Sequence, residues 1–535
     1  MGMADHDWWR AAVLYQVYPR SFADTDGDGV GDLPGITSRL GHLRDLGVDA
    51  VWISPFYPSP MADFGYDVTD HTGVDPLFGD LTDVDRLIRT AHRMGVRVLV
   101  DFVPNHTSDR HPWFLEARSG RDHPRRNWYL WADPAPDGGP PTNWRSVFGG
   151  SAWTLDEASG QFYYHAYLAQ QPDLNWRHPD VRRAQHDVLR YWLDRGVDGF
   201  RLDATRQLIK DDQLRDNPPD PDHHEEQDHE GQLSYDALLP VYTTDRPEMF
   251  DVLAGMRAVV DERRPDGDGL LLAEMYLPVR RLAYYYGARG EGVHMPSNMH
   301  LISTPHTAED IADLVADYEA ALPVHAWPNW VLGNHDRPRV ASRVGAARAR
   351  VAAMLLLTLR GTPLVYYGDE IGMTDVPVPD EFVQDPLERL VPGTGRDPAR
   401  SPMRWTPAVH GGFCAPDVTP WLPMPASASD VLDQEGDPHS MLTLYRSLIS
   451  LRRAEPALSL GRYTPVSARD DVLVYRREHG DSRFLVALNM GGAPKTLPVD
   501  AGVVRVGTAA GRAGQRVGST LALAGDEGVV IEVGA

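Results

Sequence analysis

The chain is short of cysteine, of positive charge and of long apolar runs, and each shortage removes a class of function. Its single cysteine, Cys414, excludes an intrachain disulfide and a thiolate metal cluster. No apolar run approaches the roughly 20 residues that a membrane-crossing helix requires. The opening stretch, Met-Gly-Met-Ala-Asp-His-Asp-Trp-Trp-Arg, has no apolar signal core, and His6 stands where an N-myristoylation signal has Ser or Thr. With 52 Lys and Arg against 76 Asp and Glu, the formal net charge is -24. That surplus argues against nucleic acid, anionic lipid and polyphosphate as main partners. The expectation is a cytoplasmic protein that acts on neutral molecules.

What is present is an ordinary globular composition, 42% hydrophobic and 24% charged over 535 residues. At roughly 150 residues per domain this allows about three or four domains, fewer if one is a large barrel. Val13 to Tyr18 reads as a first apolar strand. It runs into Asp24-Thr25-Asp26-Gly27-Asp28-Gly29-Val30-Gly31-Asp32, where alternate carboxylates and turn glycines resemble a hard-cation loop. The twelfth-position Glu of an EF-hand is missing, so a single structural Ca²⁺ or Mg²⁺ is the reading. No organic cofactor is called for.

An alternation of helix and strand follows. Helices are read at Gly35 to Leu46 and Thr82 to Met94, the second capped by Asp80 or Thr82. Strands are read at Val48 to Ser54 and Val96 to Val103, the latter apolar enough to be buried on both faces. From Thr107 to Gln171 the rhythm breaks into a Trp-, Tyr-, Pro- and Gly-rich stretch too long for a plain loop. It resumes with a helix at Val181 to Arg195 and strands beginning at Val197 and Gly269. The acidic stretch Asp211 to Tyr235 reads as a solvated loop, and His223, His224, Glu225, Glu226 and His229 within it as loop residues rather than a metal cluster. Further units are a helix at Ala308 to Ala321, a strand at Asn329 to Gly333, a helix at Gly345 to Leu359, a strand at Pro363 to Tyr367 and a helix at Met441 to Arg453. From about Arg462 the pattern turns to Val-rich alternation, a small β domain. The fold class is therefore α/β: a (β/α)₈ barrel (residues 1–106 and 173–461), a small domain inserted after strand three (107–172) and a C-terminal all-β domain (462–535).

In Val197-Asp198-Gly199-Phe200-Arg201-Leu202-Asp203-Ala204, alternation along a strand places Arg201 and Asp203 on one face. A guanidinium there is expected to keep Asp203 ionised with a lowered pKa. Strand three ends in Asp101-Phe102-Val103-Pro104-Asn105-His106, strand five in Ala273-Glu274-Met275 and strand seven in Gly333-Asn334-His335-Asp336. Barrel sites lie at these ends, so the acids should meet in one cleft.

These four motifs, together with Gln171-Pro172-Asp173-Leu174-Asn175, resemble glycoside hydrolase family 13, the α-amylase superfamily, in its oligo-1,6-glucosidase and α-glucosidase branch. The resemblance spans nearly the whole chain. It implies Asp203 as nucleophile, Glu274 as general acid/base and Asp336 as transition-state stabiliser in a retaining mechanism. Glu274 has no basic neighbour in sequence, which suits a proton donor. Tyr66 and Asp67, in Phe64-Gly65-Tyr66-Asp67, resemble the family's stacking Tyr and the Asp that grips a terminal glucose, hence exo action. His106, His335 and Arg400 resemble its hydroxyl-binding residues, Phe148 offers an aromatic wall, Arg201 supports the nucleophile, and Asp101 and Asn105 read as scaffold. The metal set implied is Asp24, Asp26, Asp28, Val30 through its carbonyl, and Asp32. The implied partners are small oligosaccharides and other α-glucosides; monomer and homodimer both stay open. In that branch Val after the nucleophile accompanies α-1,6 cleavage, while Thr or Ala accompanies α-1,4, so Ala204 implies α-1,4 preference. An oligo-1,6-glucosidase is an alternative reading. A sucrose-handling or transglycosylating relative is another, though its Arg-Leu-Asp-Arg-type motif is not seen. A catalytically inactive relative is the remote third.

Overall fold

The computed structural model describes residues 7–223, 235–425 and 429–534. Eight short strands form its centre: β1 (Leu14–Val17), β2 (Ala50–Ile53), β3 (Arg97–Phe102), β4 (Gly199–Leu202), β5 (Leu270–Met275), β6 (Met295–Asn298), β7 (Asn329–Val331) and β8 (Thr362–Tyr366). They pair in parallel in the order β7-β8-β1-β2-β3-β4-β5-β6. A side chain spans the last seam. Asn329 accepts from Asn298 N at 2.8 Å and donates to Pro296 O at 2.5 Å, standing in for a backbone ladder between β6 and β7. At the start of β4, only glycine fits: a Cβ on Gly199 would lie 2.1 Å from Leu270 O on the neighbouring strand.

The helices around the barrel are α1 (Leu33–Leu46), α2 (Leu81–Arg93), α3 (Pro179–Arg195), α4 (Met249–Arg263), α5 (Ala308–Ala321), α6 (Ala346–Thr358) and α7 (Met441–Ala454). Local chemistry sets their ends. Asp80 accepts from Thr82 N and Asp83 N while Asp83 returns a bond to Asp80 N, so Asp80 is the cap of α2. Gly47, at φ 93°, closes α1 in the left-handed conformation. Two units escape a reading by apolar runs. β6 is Met-Pro-Ser-Asn, polar in composition yet buried throughout, and α4 lies beyond the acidic loop. His224, Glu225, Glu226 and His229 of that loop, and the terminal Gly2 to His6 reading, fall outside the described residues.

The segment after β3 carries its own three-stranded sheet, Trp131–Ala132, Gln161–Tyr164 and Trp153–Asp156, around a core of Trp144, Trp153, Phe162 and Tyr164. It returns to the barrel where Leu174 N donates to Asn105 O at 2.8 Å and Thr107 N to Pro172 O at 3.2 Å. Beyond residue 461, a six-stranded antiparallel sheet and a two-stranded partner pack around Val474, Leu485, Val504 and Ile531. This β unit docks on the C-terminal end of α6. The buried Arg477 guanidinium donates to Thr358 O, and the Tyr475 hydroxyl meets Thr358 Oγ1 at 2.5 Å. Among the described residues, no helix is long and apolar enough to cross a membrane.

Candidate active site

The strand ends converge on one cation. Asp203 follows β4 directly, its backbone N still bonded to Phe102 O of β3 at 2.9 Å, which fixes the direction of its side chain. Arg201, one pleat earlier, is only 1% exposed. Its Nη1 lies 2.6 Å from Asp203 Oδ1 and 3.1 Å from Asp101 Oδ1, and its Nη2 lies 3.0 Å from Glu274 Oε1. One guanidinium thus holds carboxylates from the ends of β3, β4 and β5. The other oxygen of Glu274 accepts from Ala204 N at 3.0 Å. Ala204 makes this bond from a left-handed backbone, φ 48°, which a residue with a Cβ seldom adopts.

Two expectations change here. Glu274 does have a basic partner, because Arg201 reaches it across the barrel mouth. And Asp203 is not held low: burial pushes its carboxyl well above the usual range, Glu274 and Asp101 add to the rise, and Arg201 only opposes it. Burial likewise raises Asp101 to about 6 against the pull of Arg201. Three carboxyls around one guanidinium leave excess negative charge in a dry site, which works against ionising Asp101 and Asp203 together.

Asp336 has the opposite setting. Burial acts against its charge, but His335, Arg396 and Arg400 draw its carboxyl well below the ordinary value. Arg400 Nη2 reaches Asp336 Oδ1 at 3.0 Å while its Nε holds His335 O at 2.7 Å. The His335 ring is lowered to about 3, chiefly by burial. It is stacked on Tyr66, ring centroids 5.5 Å apart, with Tyr66 OH 2.9 Å from Nε2 and Gln16 Nε2 2.8 Å from Nδ1. His106 is also lowered to about 3 by burial, with Lys210 adding to it, and lies 3.1 Å from Gln171 Nε2.

A cleft of about 950 Å³ brings Tyr66, His106, Phe148, Asp203, Glu274, His335 and Asp336 to one surface. Besides Arg201, which lies buried beneath the acids, two of the residues singled out from sequence stand elsewhere. Asp67 is fully buried behind the cleft, where it accepts from Ser59 Oγ, Ala62 N and Asp63 N and braces the turn after β2. The carboxylate that does face the cleft is Asp63, four residues earlier, held 2.8 Å from Arg396 and 3.1 Å from Gln171 Nε2. Arg400 touches Asp336 from behind, whereas Arg396 lines the wall and leans over the Phe148 ring at 5.2 Å. Sequence reasoning passed over Asp63, Arg396 and Gln171. Gln171 lies inside a motif, Asp63 directly precedes one, and Arg396 stands one short helical turn before Arg400. Nothing in a motif says which of two acids, or two arginines, turns inward.

In the loop after β1, carboxylate oxygens of Asp24, Asp26 and Asp28 lie within 4.8 Å of one another. Asp24 shapes the loop by accepting from Gly27 N and Gly29 N. Burial, with Asp28 next, raises Asp26. Asp32 is turned away from that group, and its two oxygens receive Gly35 N, Thr25 N and Thr25 Oγ1, capping α1. Val30 is buried beside it.

The family model described as "Alpha amylase, catalytic domain" matches residues 16–461. The chain belongs to that family. It is a glycoside hydrolase of the α-glucosidase branch, and its relatives agree. A probable alpha-glucosidase of Rhizobium meliloti (strain 1021) is 43% identical over 511 residues, covering 92% of each chain. The oligo-1,6-glucosidase of Halalkalibacterium halodurans is 36% identical over 515 residues, 91% of each chain. Among solved structures, the alpha-glucosyl transfer enzyme XgtA superposes with a TM-score of 0.91 at 40% identity, over 98% of this chain and 99% of that one. In this family setting the barrel mouth, with its three acids on Arg201, is the candidate active site of the hydrolase.

Proposed function

We propose that the enzyme is a retaining, exo-acting α-glucosidase that releases terminal α-glucosyl residues from short oligosaccharides, with α-1,4 bonds preferred. The observation that carries this is the single guanidinium of Arg201 bonded to both Asp203 and Glu274, which gathers two carboxyls of unlike duty at one place. Retention requires two carboxyls about 5–5.5 Å apart, close enough for one to attack the sugar while the other serves the leaving oxygen.

In the first step an Asp203 oxygen attacks the anomeric carbon and Glu274 gives its proton to the glycosidic oxygen. The carbon–oxygen bond breaks, the leaving sugar departs as a neutral alcohol, and a glycosyl ester joins Asp203. In the second step Glu274, now ionised, takes a proton from water, whose oxygen displaces Asp203 and restores the α configuration. Asp336, ionised by its arginines, stabilises the positive charge that develops on the sugar ring. Asp63 with Arg396, His106 and His335 hold the hydroxyls of the terminal glucose, and Tyr66 supplies the stacking face. Neither step calls for an organic cofactor.

Transfer to a second sugar instead of water is the other reading, favoured by the 40% identity to an alpha-glucosyl transfer enzyme. We assign one Ca²⁺ or Mg²⁺ to Asp24, Asp26 and Asp28 with the Val30 carbonyl. The hard-oxygen donor set fits such an ion, and its role is structural because none of these residues lines the cleft.

The test is a product assay on maltose, isomaltose, sucrose and trehalose, with the first-formed anomer followed by NMR. α-Glucose from maltose is expected, and β-glucose would overturn the mechanism. Asp203→Asn should keep its circular dichroism spectrum and lose at least about 1,000-fold in kcat.

A further inference from the structure

Outside the cleft, the seam between the barrel and the C-terminal β unit contains a second cavity of about 190 Å³. Its lining runs against the character of the chain. The protein carries 76 acids and 52 bases, yet among the described residues the cavity is lined by Arg350, Arg505, Arg512 and His439, and by no Asp or Glu.

The three arginines are not equivalent. Arg505 is spoken for by Glu532 at 2.6 Å and Glu455 at 3.8 Å, and Arg512 by Glu527 at 2.6 Å. Arg350, on α6, forms no ion pair among the described residues. Its Nε is committed to Thr508 O at 2.9 Å, which leaves both Nη groups for the cavity it lines. Burial lowers its pKa against the pull of Asp437, so the guanidinium is partly stripped of water with no carboxylate among the described residues within ion-pair distance.

The opposite wall adds donors. Thr443 lines the cavity from the first turn of α7, a helix of 14 residues, and Pro438 and His439 line it just before the Ser440 cap; the first-turn amides of Leu442 and Thr443 are already taken by Gln434 and Ser440. Ser447 lies one turn further along the same wall. The planar fork of Arg350, the His439 imidazole and the Ser447 hydroxyl around one small space offer the donors a tetrahedral oxyanion takes.

We propose that this seam binds a phosphate group, either as free phosphate or as the phosphate of a small sugar ester, and that the bound anion clamps the β unit onto α6 and α7. Arg350 supplies the charge and the fork. His439 and Ser447 supply the surrounding donors, and the paired Arg505 and Arg512 keep carboxylates turned away from the cavity.

The test is isothermal titration of the full chain with inorganic phosphate and, separately, with glucose 6-phosphate, at fixed ionic strength. The expected result is one saturable site that is weakened about tenfold or more in Arg350→Gln. Ser447→Asp, which brings a carboxylate to the cavity from a half-buried helical position, should weaken it as well while leaving maltose hydrolysis unchanged. It keeps the proposal testable if the arginine variant folds poorly. Tighter binding of the ester than of phosphate identifies a sugar phosphate as the ligand, and equal binding identifies the free ion. No saturable binding, or binding unchanged in both variants, overturns the proposal.

Discussion

Arg396 Nη2 lies 2.8 Å from Asp63 Oδ1, joining the loop after β2 to the loop after β8 across the mouth of the barrel. The same guanidinium is gripped by Asp385, at 2.7 Å, and its Nη1 reaches Asp336 Oδ1 at 3.3 Å. One arginine therefore sets both the floor acid Asp336 and the wall acid Asp63. Asp385 holds it when either changes.

Asp63→Ala should lower kcat/KM for maltose by about 100-fold, because a buried acceptor for sugar hydroxyls disappears while Arg396 stays paired. Asp67→Asn should change kcat/KM by less than about threefold. Steady-state kinetics on the two variants checks this, and equal losses would put Asp67 back in the cleft.

Asp67 instead reports through stability. It is raised from 3.8 to about 6 by burial, against the bonds from Asp63 N, Ser59 and Ala62 N. The folded protein binds this proton more tightly than the unfolded chain does. Its contribution is thus full below the ordinary carboxylate value and is lost as pH rises through about 6, an effect on the order of 2 kcal/mol. The stability of wild type relative to Asp67→Asn should therefore be more favourable at pH 4.5 than at pH 7.5. Melting curves of both proteins at the two pH values measure it, and a constant difference would show that the carboxyl titrates normally.

Removing divalent cations should lower the melting temperature and leave the initial rate on maltose, measured well below it, unchanged. Asp26→Asn should abolish the response to added Ca²⁺ or Mg²⁺. If chelation leaves the transition where it was and elemental analysis finds no metal, the loop is a turn and nothing more.

Ala204→Val should shift the ratio of catalytic efficiencies from maltose toward isomaltose, by an amount equivalent to about 1–3 kcal/mol. The left-handed backbone at φ 48° adds a second effect. A β-branched side chain is strained there by roughly 1–2 kcal/mol, so the variant should also melt at a lower temperature. Kinetics on both disaccharides and a melting curve separate the two; an unchanged ratio would mean that other residues set the linkage.

Much of the architecture was legible in sequence because barrel strands and their helices announce themselves locally. The apolar run of β3, the Asp80 cap of α2 and the Val-rich tail are short-range signals that hydrophobic burial and hydrogen-bond satisfaction turn into elements. β6 lacked such a signal. Met-Pro-Ser-Asn is buried only because its neighbours close around it, with Asn329 bonding across the seam.

The candidate catalytic acids were legible for the same reason: Asp203, Glu274 and Asp336 each occupy a strand end, and strand ends of a barrel must meet. What those acids experience was not. Whether Asp67 or Asp63 turns inward depends on a left-handed turn at Phe64, φ 47°, and on three bonds that consume Asp67. The charge state of Asp203 depends on Asp101 and Glu274, which are 102 positions before it and 71 after it in the chain yet share its guanidinium. Local sequence determined which residues stand at the mouth of the barrel. Only tertiary structure decided which of them share a guanidinium, because electrostatic coupling in a dry site follows distance through space and not separation along the chain.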